Sequence, residues 1–342
     1  MGCVIPDAEA MQPAQAEKGR QAGPVQDEKK ESPASGQPAR GPGEAYALLV
    51  FTMACWAGNA VAGRIAVGEV SPMVIVCLRW AIVSIFLAGI TPRQVIQYWP
   101  ELRRFHRRIA LMAVCGFSLF NALFYVSAHY TTAINIAILQ GAIPVFVMIG
   151  AIVLHGTRAT PLQVAGIVAT LVGVVLIATH GNLRSLAAYR LNSGDALMLL
   201  ACLLYSGYTL ALRTRPDVPG LVFFSALAAI AFLTSLPLLG YEIVTGTTKW
   251  PTMEGWMILT FIALFPSFLA QLAFMRGVRL IGPGRAGIFT NLTPIFGAIL
   301  AVAILGERFS FSHFVGLLLV VGGIVVAEAS ARLGASRKLP SS

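Results

Sequence analysis

AILQGAIPVFVMIGAIVLHGTRATPLQVAGIVATLVGVV, residues 137–175, and GIFTNLTPIFGAILAVAILGERFSFSHFVGLLLVVGGIV, residues 287–325, are two versions of one segment. Pro144 and Pro294, Phe146 and Phe296, Gly156 and Gly306, Arg158 and Arg308, Gly166 and Gly316, and Gly173 and Gly323 all stand 150 residues apart, with no gap between them. Apolar helices resemble one another in composition, but composition does not set Pro, Gly and Arg in one register. The chain is therefore read as an internal duplication.

Both copies belong to a chain built for lipid. Of its 342 residues 56% are apolar and 12% charged, and the mean hydropathy is +0.74; a soluble domain is about a quarter charged. Apolar runs close to the roughly 20 residues that cross a bilayer recur at 45–64, 72–91, 109–128, 133–154, 161–180, 194–213, 219–240, 255–275, 284–305 and 310–330. The predicted fold is an all-α integral membrane protein, ten transmembrane helices in two five-helix repeats covering 45–180 and 194–330. An odd number of spans per half makes the halves face the membrane in opposite senses, as in inverted-repeat carriers. Residues 1–44, rich in Pro, Gly, Gln, Ala and Glu and without the apolar stretch of a signal peptide, are expected to form a disordered cytoplasmic tail, and 331–342 a short cytoplasmic tail. Pro6 stands where a myristoylation signal needs Ser or Thr, so no lipid anchor is expected.

The net charge of +10 follows from orientation. Most of the 25 Lys and Arg, among them Arg93, Arg103, Arg104, Arg107, Arg108, Arg213, Arg215, Arg276 and Arg279, fall in the tails and even-numbered links. The positive-inside rule then puts both termini in the cytoplasm of a multi-pass plasma (inner) membrane protein. These arginines sit at membrane edges beside anionic lipid, and no basic surface interleaved with aromatics appears, so membrane lipid is an expected partner and nucleic acid is not. GPGRAG at 282–287 fits G-x-G-x-x-G, with Glu307 twenty residues beyond Gly287. Residues 286–305 carry no charge and read as a membrane span, so the context of a dinucleotide site is missing. Its counterpart in the first copy is TAINIA, 132–137, without glycines; GPGRAG is expected to be a tight turn and helix start.

Around the duplication stand WAGN (56–59), PMVIVCLRW (72–80) with Pro72 and Arg79, the prolines of spans four and nine, and LGER (305–308) before span ten. In their order and spacing these residues resemble the EamA-type members of the drug/metabolite transporter superfamily, over about residues 45–330. The resemblance implies a small-solute carrier with ten helices in two inverted repeats, export as the direction, and a scaffold role for Arg79. One departure is visible: the Gly-Glu turn is present at Gly306-Glu307 but is Gly156-Thr157 in the first half, which removes any symmetric role for that Glu.

Polar side chains within spans are costly unless they face a cavity or a partner. Span three carries Asn121 and Tyr125 and span eight carries Gln271; Asn121 and Gln271 are repeat mates. Amides donate and accept, which suits a zwitterionic or polyhydroxy solute, or equally a link between helices. Gln140, with Asn135, in span four and Asn291, with Thr290 and Thr293, in span nine extend the set, as do Trp56 and Asn59 in span one and Tyr205 and Tyr208 in span six. The aromatics stack on a substrate or simply pack. Pro144 and Pro294 are expected to kink spans four and nine, freeing carbonyls and acting as gates. Arg79, midway along span two, either clamps a substrate carboxylate or pairs with carbonyls as scaffold.

No Asp or Glu lies mid-span, which disfavours a proton-driven exporter of cationic drugs. The cysteines Cys3, Cys55, Cys77, Cys115 and Cys202 lack metal-ligand spacing, and the histidines near helix ends form no catalytic arrangement, so neither metal nor cofactor nor enzymatic activity is expected. Gly166, Gly173, Gly316, Gly322 and Gly323 are expected to bring helices together, as scaffold or as homodimer contacts. The expected function is secondary transport of a small polar metabolite, an amino acid or related compound. A nucleotide-sugar or phosphorylated-metabolite carrier, and a non-transporting membrane scaffold or sensor, are the alternatives.

Overall fold

The computed structural model describes residues 42–156, 159–179, 181, 192–281, 286 and 289–336. Residues 1–41 of the expected 1–44 tail, residues 337–342 and most of GPGRAG lie outside these residues, and Pro42–Glu44, expected in the tail, instead open α1. Among the described residues every regular element is a helix: α1 Pro42–Ile65, α2 Pro72–Ile90, α3 His106–Ser127, α4 Ala133–Leu139, α5 Ala142–His155, α6 Pro161–Ala178, α7 Ser193–Ala211, α8 Gly220–Val244, α9 Met253–Ile281, α10 Leu292–Leu305 and α11 Phe311–Ser336. Two short helices, Pro92–Gln97 and Trp99–Arg104, join α2 to α3. Eight described helices are long and apolar enough to cross a membrane, and Leu292–Leu305 and Phe311–Ala327 are shorter apolar helices. Span nine is short because the mates of α4 fall mostly outside the described residues, and α11 continues to Ser336 rather than ending near 330.

Local chemistry sets the helix ends. Thr132 caps α4 by accepting from Asn135 N, Thr160 and Gln163 form a reciprocal capping box at α6, Asn192 caps α7 and Thr252 caps α9. α5 and α10 both stop at a left-handed glycine, Gly156 (φ 61°) and Gly306 (φ 65°), a conformation that residues with a Cβ resist. α5 and α10 each have 14 residues and start and stop in the register of the duplication. Two π-helical segments, Val114–Ser118 within α3 and the longer Ala263–Leu269 within α9, are centred on repeat mates, Gly116 and Pro266.

Packing repeats the same symmetry. α1 lies against α9 and α10, and α7 lies against α3 and α5; α2 pairs with α8, and α6 with α11. In the α6–α11 pair, a Cβ on Gly166 would come within 2.5 Å of Gly323 O, and one on Gly173 within 2.9 Å of Gly316 O. Residue numbers rise along one helix as they fall along the other, so the pair is antiparallel. Exchanging each residue for its mate turns the first contact into the second and returns Thr170 Oγ1 to Val320 O (3.4 Å) onto itself. A pseudo-two-fold axis therefore passes through this crossing at right angles to both helices. Four of the five glycines expected as scaffold or dimer contacts are spent inside the chain here; Gly322 alone meets nothing within 4 Å. Valines 164, 168 and 172 on α6 and Ile299 and Val302 on α10 point outward as apolar stripes suited to lipid.

A Cβ on Gly323 would meet Thr170 Oγ1 at 2.4 Å and Gly166 O at 2.5 Å. Gly323→Ala is expected to cost about 1–3 kcal/mol through overpacking, seen as a lower melting temperature in detergent, while Gly322→Ala leaves it unchanged.

Candidate functional site

Arg79 sits eight residues into α2, 4% exposed. Its Nε (3.0 Å) and Nη2 (2.6 Å) donate to Ser267 Oγ, and its Nη1 donates to Asn121 Oδ1 and Tyr125 Oη, both at 2.6 Å. The Tyr125 hydroxyl in turn donates a hydrogen bond to Asn59 Oδ1 at 2.8 Å. The Trp80 and Tyr125 rings lie 5.1 and 5.6 Å from the guanidinium carbon. Among the described residues no carboxylate reaches Arg79, so the positive charge is held by neutral acceptors and ring faces. The cluster joins α1, α2 and α3 of the first half to α9 of the second.

The two π segments explain how these acceptors are aimed. Pro266 has no N–H, so Ile262 O loses its usual helical donor. The Ser267 hydroxyl donates to Ile262 O, which fixes its lone pairs toward Arg79. In α3 the Asn121 Nδ2 donates to Phe117 O, next to Gly116, and so turns Oδ1 toward the same guanidinium. A π segment at a functional position is a recurring device because it releases one carbonyl from the helical ladder. Trp56 donates from Nε1 to Pro266 O at 3.2 Å and packs its ring on Phe274.

The predicted site residues therefore divide. Arg79, Asn121, Tyr125 and Asn59 come together, and Trp56 borders the same π segment. Gln271, half-buried on α9, makes no hydrogen bond to this cluster, so the repeat mates Asn121 and Gln271 are not in equivalent surroundings. Tyr205 is half-buried against Phe120 and Tyr208, ring centroids 4.9 and 5.3 Å away. Gln140 makes one long bond to Ile136 O, 3.4 Å. Asn291 is buried, with neither amide atom hydrogen-bonded.

Pro144 and Pro294 do not kink helix interiors. Each is the third residue of a new helix, and the break lies upstream at Gln140–Gly141 and Thr290–Asn291. The carbonyls that the prolines leave without a donor, Gln140 O and Thr290 O, already accept from Ile143 N and Thr293 N, both at 3.1 Å. The expected free carbonyls are thus occupied by a tightened turn.

Carboxylates that the sequence places at span ends act between the halves. Glu307 accepts from Ala133 N (2.8 Å) and Ile134 N (2.9 Å), capping α4 from the link after α10. Glu242 of α8 accepts from Ser71 Oγ at 2.5 Å at the start of α2. Asp195, fully buried in the first turn of α7, accepts from Thr131 Oγ1 and from Asn135 Nδ2. Glu307 also borders a cleft of about 420 Å³ with Arg64, Val67, Thr132 and Leu305. Beside it, partial burial and then the Arg64 charge hold the His129 imidazole below the usual histidine range, against the pull of Glu242. Ser267 and Glu307 were missed as site residues; Pro266 in mid-span and the broken Gly-Glu symmetry were the signals for them.

An all-helical bundle with a polar hub joining two duplicated halves defines an integral membrane protein with a transporter's architecture. The chain belongs to the EamA-like transporter family, whose pattern matches it twice, at residues 43–179 and 192–328. It is 27% identical over 284 residues to the uncharacterized transporter YetK of Bacillus subtilis (82% of this chain, 86% of that protein). An uncharacterized transporter of Archaeoglobus fulgidus is 25% identical (83% and 97%), and the uncharacterized inner membrane transporter YedA of Escherichia coli K12 22% (83% and 89%). One solved crystal structure shares the fold, with a TM-score of 0.59 at 18% identity over 85% of this chain and 99% of that one.

Removing the Glu307 carboxylate leaves two N–H groups of α4 without their partner. Glu307→Ala is expected to cost about 1 kcal/mol of stability, with Glu307→Gln intermediate, measured by thermal unfolding of the purified protein.

Proposed function

We propose that the chain is a secondary carrier of small polar metabolites, amino acids or related compounds, exporting them across the inner membrane by alternating access. The reading takes ten spans in two inverted halves, with α10 and α11 completing the second half. If the helices cross the bilayer, the pseudo-two-fold axis at the α6–α11 crossing lies in the membrane plane, the arrangement from which inverted-repeat carriers work. The distribution of Lys and Arg favours both termini in the cytoplasm.

The observation that carries the reading is the Arg79 cluster. A guanidinium in lipid-spanning structure is expensive and marks a substrate path or a pivot, and this one is bonded across the two halves. Its neighbours are amides and hydroxyls, which suit a small polar solute. A phosphorylated-metabolite carrier needs several cations in its cavity, and among the described residues Arg79 is the only buried Lys or Arg.

Counterflow in proteoliposomes tests this. Vesicles preloaded with unlabelled neutral amino acids are expected to accumulate a labelled one, and protein-free vesicles are not. Arg79→Lys keeps the charge but loses the planar fork that reaches Ser267, Asn121 and Tyr125 together. It is expected to slow counterflow roughly tenfold or more, since each lost charge-assisted bond is worth about 1.5–3 kcal/mol. A panel without accumulation removes amino acids and sends the search to sugars, nucleosides and phosphorylated metabolites.

A further inference from the structure

We propose that Asn291, at the start of α10, is the subsite for the head group of the transported amino acid, its Nδ2 donating to the carboxylate and its Oδ1 accepting from the ammonium. The proposal rests on the carrier reading above. Asn291 is 6% exposed, and neither Oδ1 nor Nδ2 has a hydrogen-bond partner among the described residues. An amide buried with both ends unpaired is destabilising, so its presence implies a partner supplied from outside.

The local backbone keeps the amide free. An Asn at a helix start ordinarily folds back to accept from the second or third N–H. Here Asn291 has helical angles (φ −67°, ψ −15°) and makes no cap bond, and the third position is Pro294, which has no N–H to offer. The same helix end supplies the positive pole of its dipole, and a membrane helix broken near its middle turns that pole toward anionic substrate groups.

The other half shows that the position is not a packing requirement of the fold. The mate of Asn291 is Gly141, where a Cβ would come within 2.3 Å of Val320 and 3.0 Å of Ile138 O. α11 fills that space in the first half, so the pseudo-symmetry leaves one polar side chain rather than two. A single asymmetric subsite fits a single zwitterion.

The test uses the full-length protein in proteoliposomes and in detergent. Labelled L-threonine and L-phenylalanine are compared with their C-terminal amides and with the corresponding 2-hydroxy acids, in wild type, Asn291→Ala and Asn291→Asp. In wild type the free amino acids are expected to be favoured over both analogues. Asn291→Ala is expected to raise KM about tenfold while the melting temperature stays level or rises, because no bond within the chain is lost. Asn291→Asp, which sets a carboxylate against the solute's own, is expected to abolish transport. Amino-acid stabilisation of the purified wild type against heat is expected to vanish in Asn291→Ala. Transport by wild type with an unchanged KM in both variants overturns the subsite and leaves the carrier standing. If no label accumulates and no amino acid shifts the melting temperature, the carrier reading for amino acids and the subsite fall together.

Discussion

A positive charge fixed among helices must be answered by the chain, since the bilayer interior has no water to offer it. Arg79 is answered by Ser267, Asn121 and Tyr125, and Asn59 stands behind Tyr125. Each acceptor is itself tied to something else, so the guanidinium constrains four helices at once. α1, α2, α3 and α9 cannot slide independently without leaving a buried donor unpaired, which costs more than the bond contributes when made. The hub is expensive to create and more expensive to break in part.

The duplication supplies the frame and its exceptions supply the chemistry. Where both halves use one solution, as in the glycine ends of α5 and α10, the residues match 150 apart. Where the halves differ, the differences come in matched sets. The π segments are paired, but Gly116 admits the Tyr208 ring while Pro266 exposes the carbonyl used by Ser267. Glu307 caps the N–H groups of Ala133 and Ile134; its mate is Thr157, and the mate of Ala133 is Pro283, which has no N–H to cap. The lost Glu and the gained Pro are two sides of one asymmetry.

Much of the frame was legible in the sequence because it depends on periodicity and on backbone geometry. The expected spans ending at 154 and 305 stop just short of Gly156 and Gly306, where α5 and α10 end, and the span expected from 161 opens α6 at Pro161. The candidate site was legible only as a set of residue types. Asn121 and Gln271 share a position in the repeat, yet the first is held by Arg79 and the second is not, because the arginine has no counterpart in the second half. Pro144 and Pro294 read as kinks because a proline within an apolar run is indistinguishable from one in the first turn of a new helix. Pro266 drew no attention, since the π segment depends on what the neighbouring helix brings up to the freed carbonyl.

Relative strengths indicate which contacts an alternating motion would spare. The α6–α11 crossing is backbone against backbone, with no space for even a Cβ, and it lies on the pseudo-axis, where an exchange of the two halves moves it least. The Arg79 cluster is buried and several bonds deep. Glu307, by contrast, is half-exposed beside a cleft, and its two bonds to α4 are worth about 1 kcal/mol, a few-fold in population. The Glu307 contact is the weakest of the three, yet α4 does not depend on it alone: its seven residues are all buried, and Asn135 ties it to the buried Asp195 of α7, so burial rather than the Glu307 cap holds α4 in the bundle.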